Sequence, residues 1–198
     1  NLKKIVNKEL KDLDEFLNNK LDVLSDNNEL IISLSKTSNN NYDLLFSTYK
    51  KILDFNFIIE KIRDSSSFEV SSRIFNNNKI YEFLNGQNLF SAVILDDVLS
   101  ISKNSLLIED AIRTSNNKDL QFKYVNKELF NQVMIKNDLG NIFVNFSELS
   151  KSFTDHDHIF KILPEKTFLD FKQKENTFYL SGFSTNSKNI LNDSLLIA

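Results

Sequence analysis

His156 and His158 are the only histidines in the chain, two residues apart in FTDHDHIFK (153–161) and interleaved with Asp155 and Asp157. Neutral imidazoles beside carboxylates are the donor set of zinc and related ions. On a strand both histidines would face one way and both aspartates the other, so only two ligands would converge. On a helix, positions i and i+2 do not share a face. No cysteine and no further histidine exists to complete a site. The run also lies between SELSKSF and Pro164, where a loop is expected. His156 and His158 are the weak candidates for a metal, and the reading is a solvated corner with no metal assigned.

Asp96-Asp97 is the next candidate, because paired carboxylates run glycosidase and aspartic-type chemistry. Those mechanisms bring acids together from separated positions across a substrate. Adjacent aspartates between FSAVIL and VLSIS fit the two central positions of a hairpin turn instead. No G-x-S-x-G elbow is present, so nucleophilic serine chemistry would have to borrow the loop histidines. Gly86, Gly140 and Gly182 stand alone, which removes the P-loop and dinucleotide fingerprints. No catalytic residue and no cofactor is assigned.

What must position any such groups is a chain with an apolar core. Hydrophobic residues make up 41% of the 198, enough for one domain or two small ones. Eighteen Phe, five Tyr and no Trp place the burden on rings that carry no polar atom to satisfy. A net charge of −3 with dispersed lysines leaves no basic footprint, so no nucleic acid is expected as a partner. Without cysteine there is no disulfide and no thiol chemistry. No apolar run reaches the roughly 18 residues needed to span a bilayer, so no transmembrane segment is expected. The chain opens on Asn1 and closes inside the apolar SLLIA, which reads as a piece of a longer protein.

Three Gly and one Pro are few for turns, and asparagine takes their place at 39–41, 76–78 and 116–117. Its short side chain tolerates left-handed backbone and bonds locally. Leu10, Leu13, Leu17, Leu21 and Leu24 share one helical stripe over 7–24. ELIISLSK and NYDLLFSTYK flank SNNN as a hairpin, and 54–64 is predicted as a second helix through Phe55, Ile58, Ile59 and Ile62. FEVSSRIF alternates, with Phe68, Val70 and Ile74 on one side. KIYEFL, FSAVIL and VLSIS follow as strands, with Asn85-Gly86 the strongest hairpin signal. SLLIEDAIR is a helix capped by Ser102, Asn104 or Ser105, with Glu109 and Arg113 in the favourable i,i+4 order.

In the last third, Phe122, Val125, Leu129 and Val133 predict a helix, NIFVNF a strand leading into a short helix, and TFLDFKQ with TFYLSGF a hairpin. Phe178 and Leu180 fall on one strand face, Tyr179, Ser181 and Phe183 on the other. Hairpin strands with grouped helices mean α+β, with antiparallel sheets built from hairpins and helices packed against them. A single domain over 1–198 is expected, with 116–120 as the place where two sub-units would divide.

Several of these segments resemble a family of bacterial cell-envelope proteins of unknown function, often lipid-anchored. The strand and acidic helix VLSISKNSLLIEDAIRT, the strand and short helix NIFVNFSELSKSF, and YLSGFST with its Leu180-x-Gly182-Phe183 carry the resemblance. KIYEFL and LFSAVILDDVLS are similar to the family's central hairpins, although Asn or Asp stands where its turns carry Gly. The likeness runs over most of 29–186. It implies an extracytoplasmic, periplasmic or envelope-anchored location and transfers no site residue. The expected function is a non-catalytic binding or scaffold module, whose partner would be another envelope protein. The alternatives are a carrier of an apolar ligand, or part of an enzyme whose site lies outside these residues.

Overall fold

The computed structural model describes residues 2–16, 30–38, 41–49, 60, 68–86, 88–127, 140–150, 163–174, 177–186 and 189–193. The chain divides into two compact units, Asn1–Leu120 and Gln121–Ala198. Both are built on antiparallel sheets, so the fold is α+β, with more sheet than helix.

The first unit is a six-stranded sheet in the order β1-β2-β6-β5-β4-β3. Its strands are β1 (Leu30–Lys36), β2 (Tyr42–Tyr49), β3 (Glu69–Phe75), β4 (Asn78–Asn85), β5 (Asn88–Leu95) and β6 (Val98–Ser102). Helix α1 (Leu2–Phe16) and helix α2 (Ser105–Asn116) belong to the same unit. Strands β3 to β6 run as a meander, and β6 pairs with β2.

Asparagine and aspartate make the corners. Phe75 pairs with Asn78 and Leu95 with Val98, leaving two-residue turns at Asn76-Asn77 and Asp96-Asp97. All four turn residues have positive φ, between 45° and 68°, the signature of the I′ turn whose twist suits a hairpin. The third turn sits one residue later than its sequence signal. Asn85 pairs with Asn88 as part of β4, and Gly86, at φ 59°, is the residue that turns. Glycine takes that conformation without the Cβ penalty that an asparagine at the same place would carry.

Alternation sends side chains to two separate cores. On one face Leu44, Phe46, Phe83, Phe90, Ala92, Leu99 and Ile101 meet Leu13 and Phe16 of α1. The Phe16 ring stacks on Phe90 at 4.3 Å and meets Phe68 and Phe83 edge-on at 5.2 and 5.3 Å. Such pairs add about 0.5–1.5 kcal/mol each beyond the area they bury. On the other face Ile80 and Val93 meet Ile108 and Ile112 of α2. The α1 helix starts earlier than the stripe suggested, and Leu17, Leu21 and Leu24 lie outside the described residues. So does the helix expected over 54–64, apart from Glu60. Phe68 and Val70 pack on the α1 side as their alternation implied. Ile74, on the same face, is 68% exposed.

The second unit holds a four-stranded sheet in the order β10-β9-β8-β7. Its strands are β7 (Gly140–Asn145), β8 (Lys166–Lys174), β9 (Thr177–Asn186) and β10 (Asn189–Asp193). Among the described residues two short helices belong to it, α3 (Phe122–Val125) and α4 (Phe146–Ser150). Phe143 pairs with Phe168 and Phe168 with Phe183, so three phenylalanines stand in a row across three strands. The Phe122 ring closes edge-on against Phe143 at 4.6 Å. On the opposite face the Thr167 and Ser184 hydroxyls bond to each other at 3.0 Å, which satisfies two buried polar groups together. Of the helix expected from Phe122 to Val133, α3 covers Phe122–Val125, a turn follows at Asn126, and Leu129 and Val133 lie outside the described residues.

Candidate functional site

His156 and His158 lie outside the described residues. Asp96 and Asp97 are exposed at their turn. Among the described residues no group of three or more His, Cys, Asp or Glu is arranged to hold a metal ion. Gly182 has a structural reason of its own. A Cβ there would strike the Phe168 carbonyl and the Leu169 Cα of the neighbouring strand, so only glycine lets β8 and β9 close at that point.

Among the described residues two buried hydroxyls, Thr48 Oγ1 and Ser91 Oγ, have no hydrogen-bond partner. They point to opposite faces of the sheet, since Thr48 shares the face of the α1-side Phe46 and Ser91 that of the α2-side Val93. They therefore do not form one reactive pair.

A polar cluster of the first unit gathers where β6 passes into α2. Ser102 donates to the Leu44 carbonyl at 2.8 Å and accepts from the Asn104 N–H at 3.0 Å, which sets the exit of the strand. Asn104 then caps α2 by accepting from the Leu106 N–H at 3.0 Å. Its amide reaches Asp43 at 2.8 Å, and Thr37 donates to the same Asp43 carboxylate.

Between Ser102 and Asn104 the Lys103 side chain runs the other way, toward α1. It pairs with Asp12 and, at 3.7 Å, with Glu9, its ammonium lying 5.5 Å from the Phe90 ring centre. Burial pushes the Glu9 carboxyl above its usual range. Lys103 opposes that, while Asp12 and Asp43 reinforce it. This cluster ties α1, the β1–β2 hairpin and the start of α2 together, and its hydrogen bonds and ion pairs are spent on one another.

A second ionic cluster lies on the α2 side. Arg73 of β3 bonds Glu82 of β4 at 2.8 Å and Glu109 of α2 at 2.9 Å. The hydrogen bond to Glu82 does most to hold the Arg73 guanidinium more firmly protonated than usual; burial opposes it, and Glu109 adds to the hold. The expected pairing of Glu109 with Arg113 forms at 3.4 Å, and Arg113 also bonds Asp110 and lies over the Phe75 ring at 5.0 Å. Sequence reasoning found this helical pair but not Arg73, which comes from 36 residues upstream. It missed Lys103 with Glu9 and Asp12 altogether. The spacing of Glu9 and Asp12, three apart on an amphipathic helix, was the one local signal.

The edge of the sheet is different. Strand β1 pairs with β2 through all seven residues without a bulge, and no described strand covers its other side. Ile31 and Ile32, on opposite faces, are 59% and 46% exposed. Proteins ordinarily blunt such an edge with inward charges, proline or a bulge. β1 carries one charge, Lys36, at its end. The opposite edge, β3, carries Glu69 and Arg73 within it.

Among the described residues no helix is long and apolar enough to cross a membrane. Comparison with family models, with curated proteins and with solved structures gives no match.

Proposed function

We propose that this chain is a non-catalytic binding or scaffold module of an extracytoplasmic envelope protein, and that it engages its partner by strand addition at β1. The observation that carries the reading is the unblunted edge: a full-length, bulge-free strand with two exposed isoleucines and an outer side that no described strand pairs. Strand addition draws affinity from main-chain hydrogen bonds and specificity from alternate side chains, and Ile31 and Ile32 supply anchors on both faces. The half-buried charges at Lys103 and Arg73 support a non-catalytic role, because each is already paired with carboxylates inside the fold, Lys103 with Glu9 and Asp12 and Arg73 with Glu82 and Glu109. The envelope setting rests on the resemblance carried by residues 98–114, 141–153 and 179–185.

The test is capture from a bacterial envelope extract by the immobilised chain, by the double variant Ile31→Lys with Ile32→Lys, and by Ile74→Lys on the other edge. Species retained by the unmodified chain and by Ile74→Lys but lost from the β1 variant are the expected result. Equal retention by all three refutes binding at this edge.

A further inference from the structure

We infer that the strand added at β1 is β1 of a second copy of this chain, paired antiparallel about a two-fold axis at Ser33. The inference rests on the reading of β1 as a binding edge and specifies its occupant. In this register Leu30 lies opposite Lys36 of the other copy, Ile31 opposite Ser35, Ile32 opposite Leu34, and Ser33 opposite its own counterpart. It is the one two-fold register that overlaps all seven residues of the strand.

The side-chain pattern suits it. Residues whose numbers share parity share a sheet face, so Ile32 and Leu34 of the two copies meet on the α1 side. Ile31 packs over the small Ser35 on the α2 side. The exposed isoleucines lose water on both faces at once, which a monomeric edge does not achieve.

Charge permits the pairing as well. β1 has no acidic residue, and its single cation, Lys36, falls at opposite ends of the paired strands, about 20 Å from its counterpart. Like charges are thus kept from facing each other, the arrangement that most often blocks self-pairing of an edge. The other edge supplies the contrast. β3 holds Glu69 and Arg73, and Arg73 is committed to Glu82 and Glu109. Pairing of β1 with β3 of another copy would build an open-ended fibre, whereas β1 on β1 closes at two. The charged β3 edge and the uncharged body of β1 favour the closed form.

The chain contains no cysteine, so one introduced thiol reports on one position. Ser33→Cys places the two thiols across the two-fold axis, at a cross-strand separation a disulfide can bridge. Ser35→Cys, on the same strand face, leaves its thiols about 13 Å apart along the strand. In the full 198-residue chain, mild oxidation is expected to give covalent dimer from Ser33→Cys at least about tenfold faster than from Ser35→Cys. Equal rates overturn the proposal, since they mean random collision.

Sedimentation of the unmodified chain is the second measurement, independent of any variant. A concentration-dependent dimer that Ile31→Lys with Ile32→Lys returns to monomer is expected. A monomer at every concentration overturns self-pairing. If that monomer still captures an envelope species through β1, the strand-addition reading stands with another partner. If the dimer forms and capture does not depend on β1, self-pairing stands and the capture reading fails.

Discussion

Phe83 offers the most direct test of the core. It is 1% exposed on β4, faces Phe90 across the β4–β5 pair and Val70 across the β3–β4 pair, and meets the Phe16 ring edge-on. Phe83→Ala deletes the ring from between a helix and a sheet that hydrogen bonds hold on both sides, so little collapse into the space is available. Such truncations cost about 3–5 kcal/mol, of which the lost contact with Phe16 accounts for about 0.5–1.5. Because the chain divides into two units, one global melting curve would mix two transitions. Amide hydrogen exchange resolved to β5 and β6 reads the first unit by itself, and protection there should fall by roughly two to three and a half powers of ten. Ile74→Ala is the control. Ile74 shares the α1-side face but is exposed, so it should cost no more than about 0.5 kcal/mol. A loss below about 1.5 kcal/mol at Phe83, or one equal to that at Ile74, would refute the α1-side core as described.

Glu9 gives a prediction in pH. Its carboxyl is raised, chiefly by burial, so the folded chain holds that proton more tightly than the unfolded one. Its contribution to stability is therefore full below about pH 4.3 and is lost as pH rises through the raised folded value. Glu9→Gln should raise the urea concentration at which the β5 and β6 amides lose protection at pH 7, with the gap closing below about pH 4; a variant that loses protection at lower urea at pH 7 contradicts this. Asn104→Ala removes the α2 cap and the partner of Asp43 together, and amide exchange resolved to α2 and β6 should show a loss of at least about 1 kcal/mol. Gly182→Ala forces a methyl into the β8 backbone and should lower exchange protection in β8 and β9 by about 1–3 kcal/mol. Gly140→Ala, with open space around it, should leave those strands unchanged, and matching effects at the two glycines would count against the close approach.

Much of the first unit could be read locally, because hairpins are local objects. Alternation placed β3 to β6, and the two-residue turns between them need φ > 0, which asparagine and aspartate at 76–77 and 96–97 supply. The α2 cap was narrowed to three polar residues by composition alone. Asn104 was singled out by geometry, since Ser102 is already spent as the last strand residue, bonded to Leu44. In the second unit the strand pair across 174–177 was equally legible, but the reason for Gly182 was not. It depends on how closely another strand's carbonyl approaches, and no neighbour in sequence records that.

What the residues determined by themselves was the α+β class, the phenylalanine burden of the core and the use of asparagine for corners. All follow from propensity and period, which act over a few residues. Tertiary structure alone decided that β6 lies between β2 and β5, and so which strands are edges. Among the described strands that order leaves β1 at an edge, with Ile31 and Ile32 exposed. It also brings Lys103 to Glu9 and Asp12 from about ninety residues away. Pairings at that distance are selected by the packing of whole layers, in which each strand's place depends on all the others, so no short window of sequence contains them.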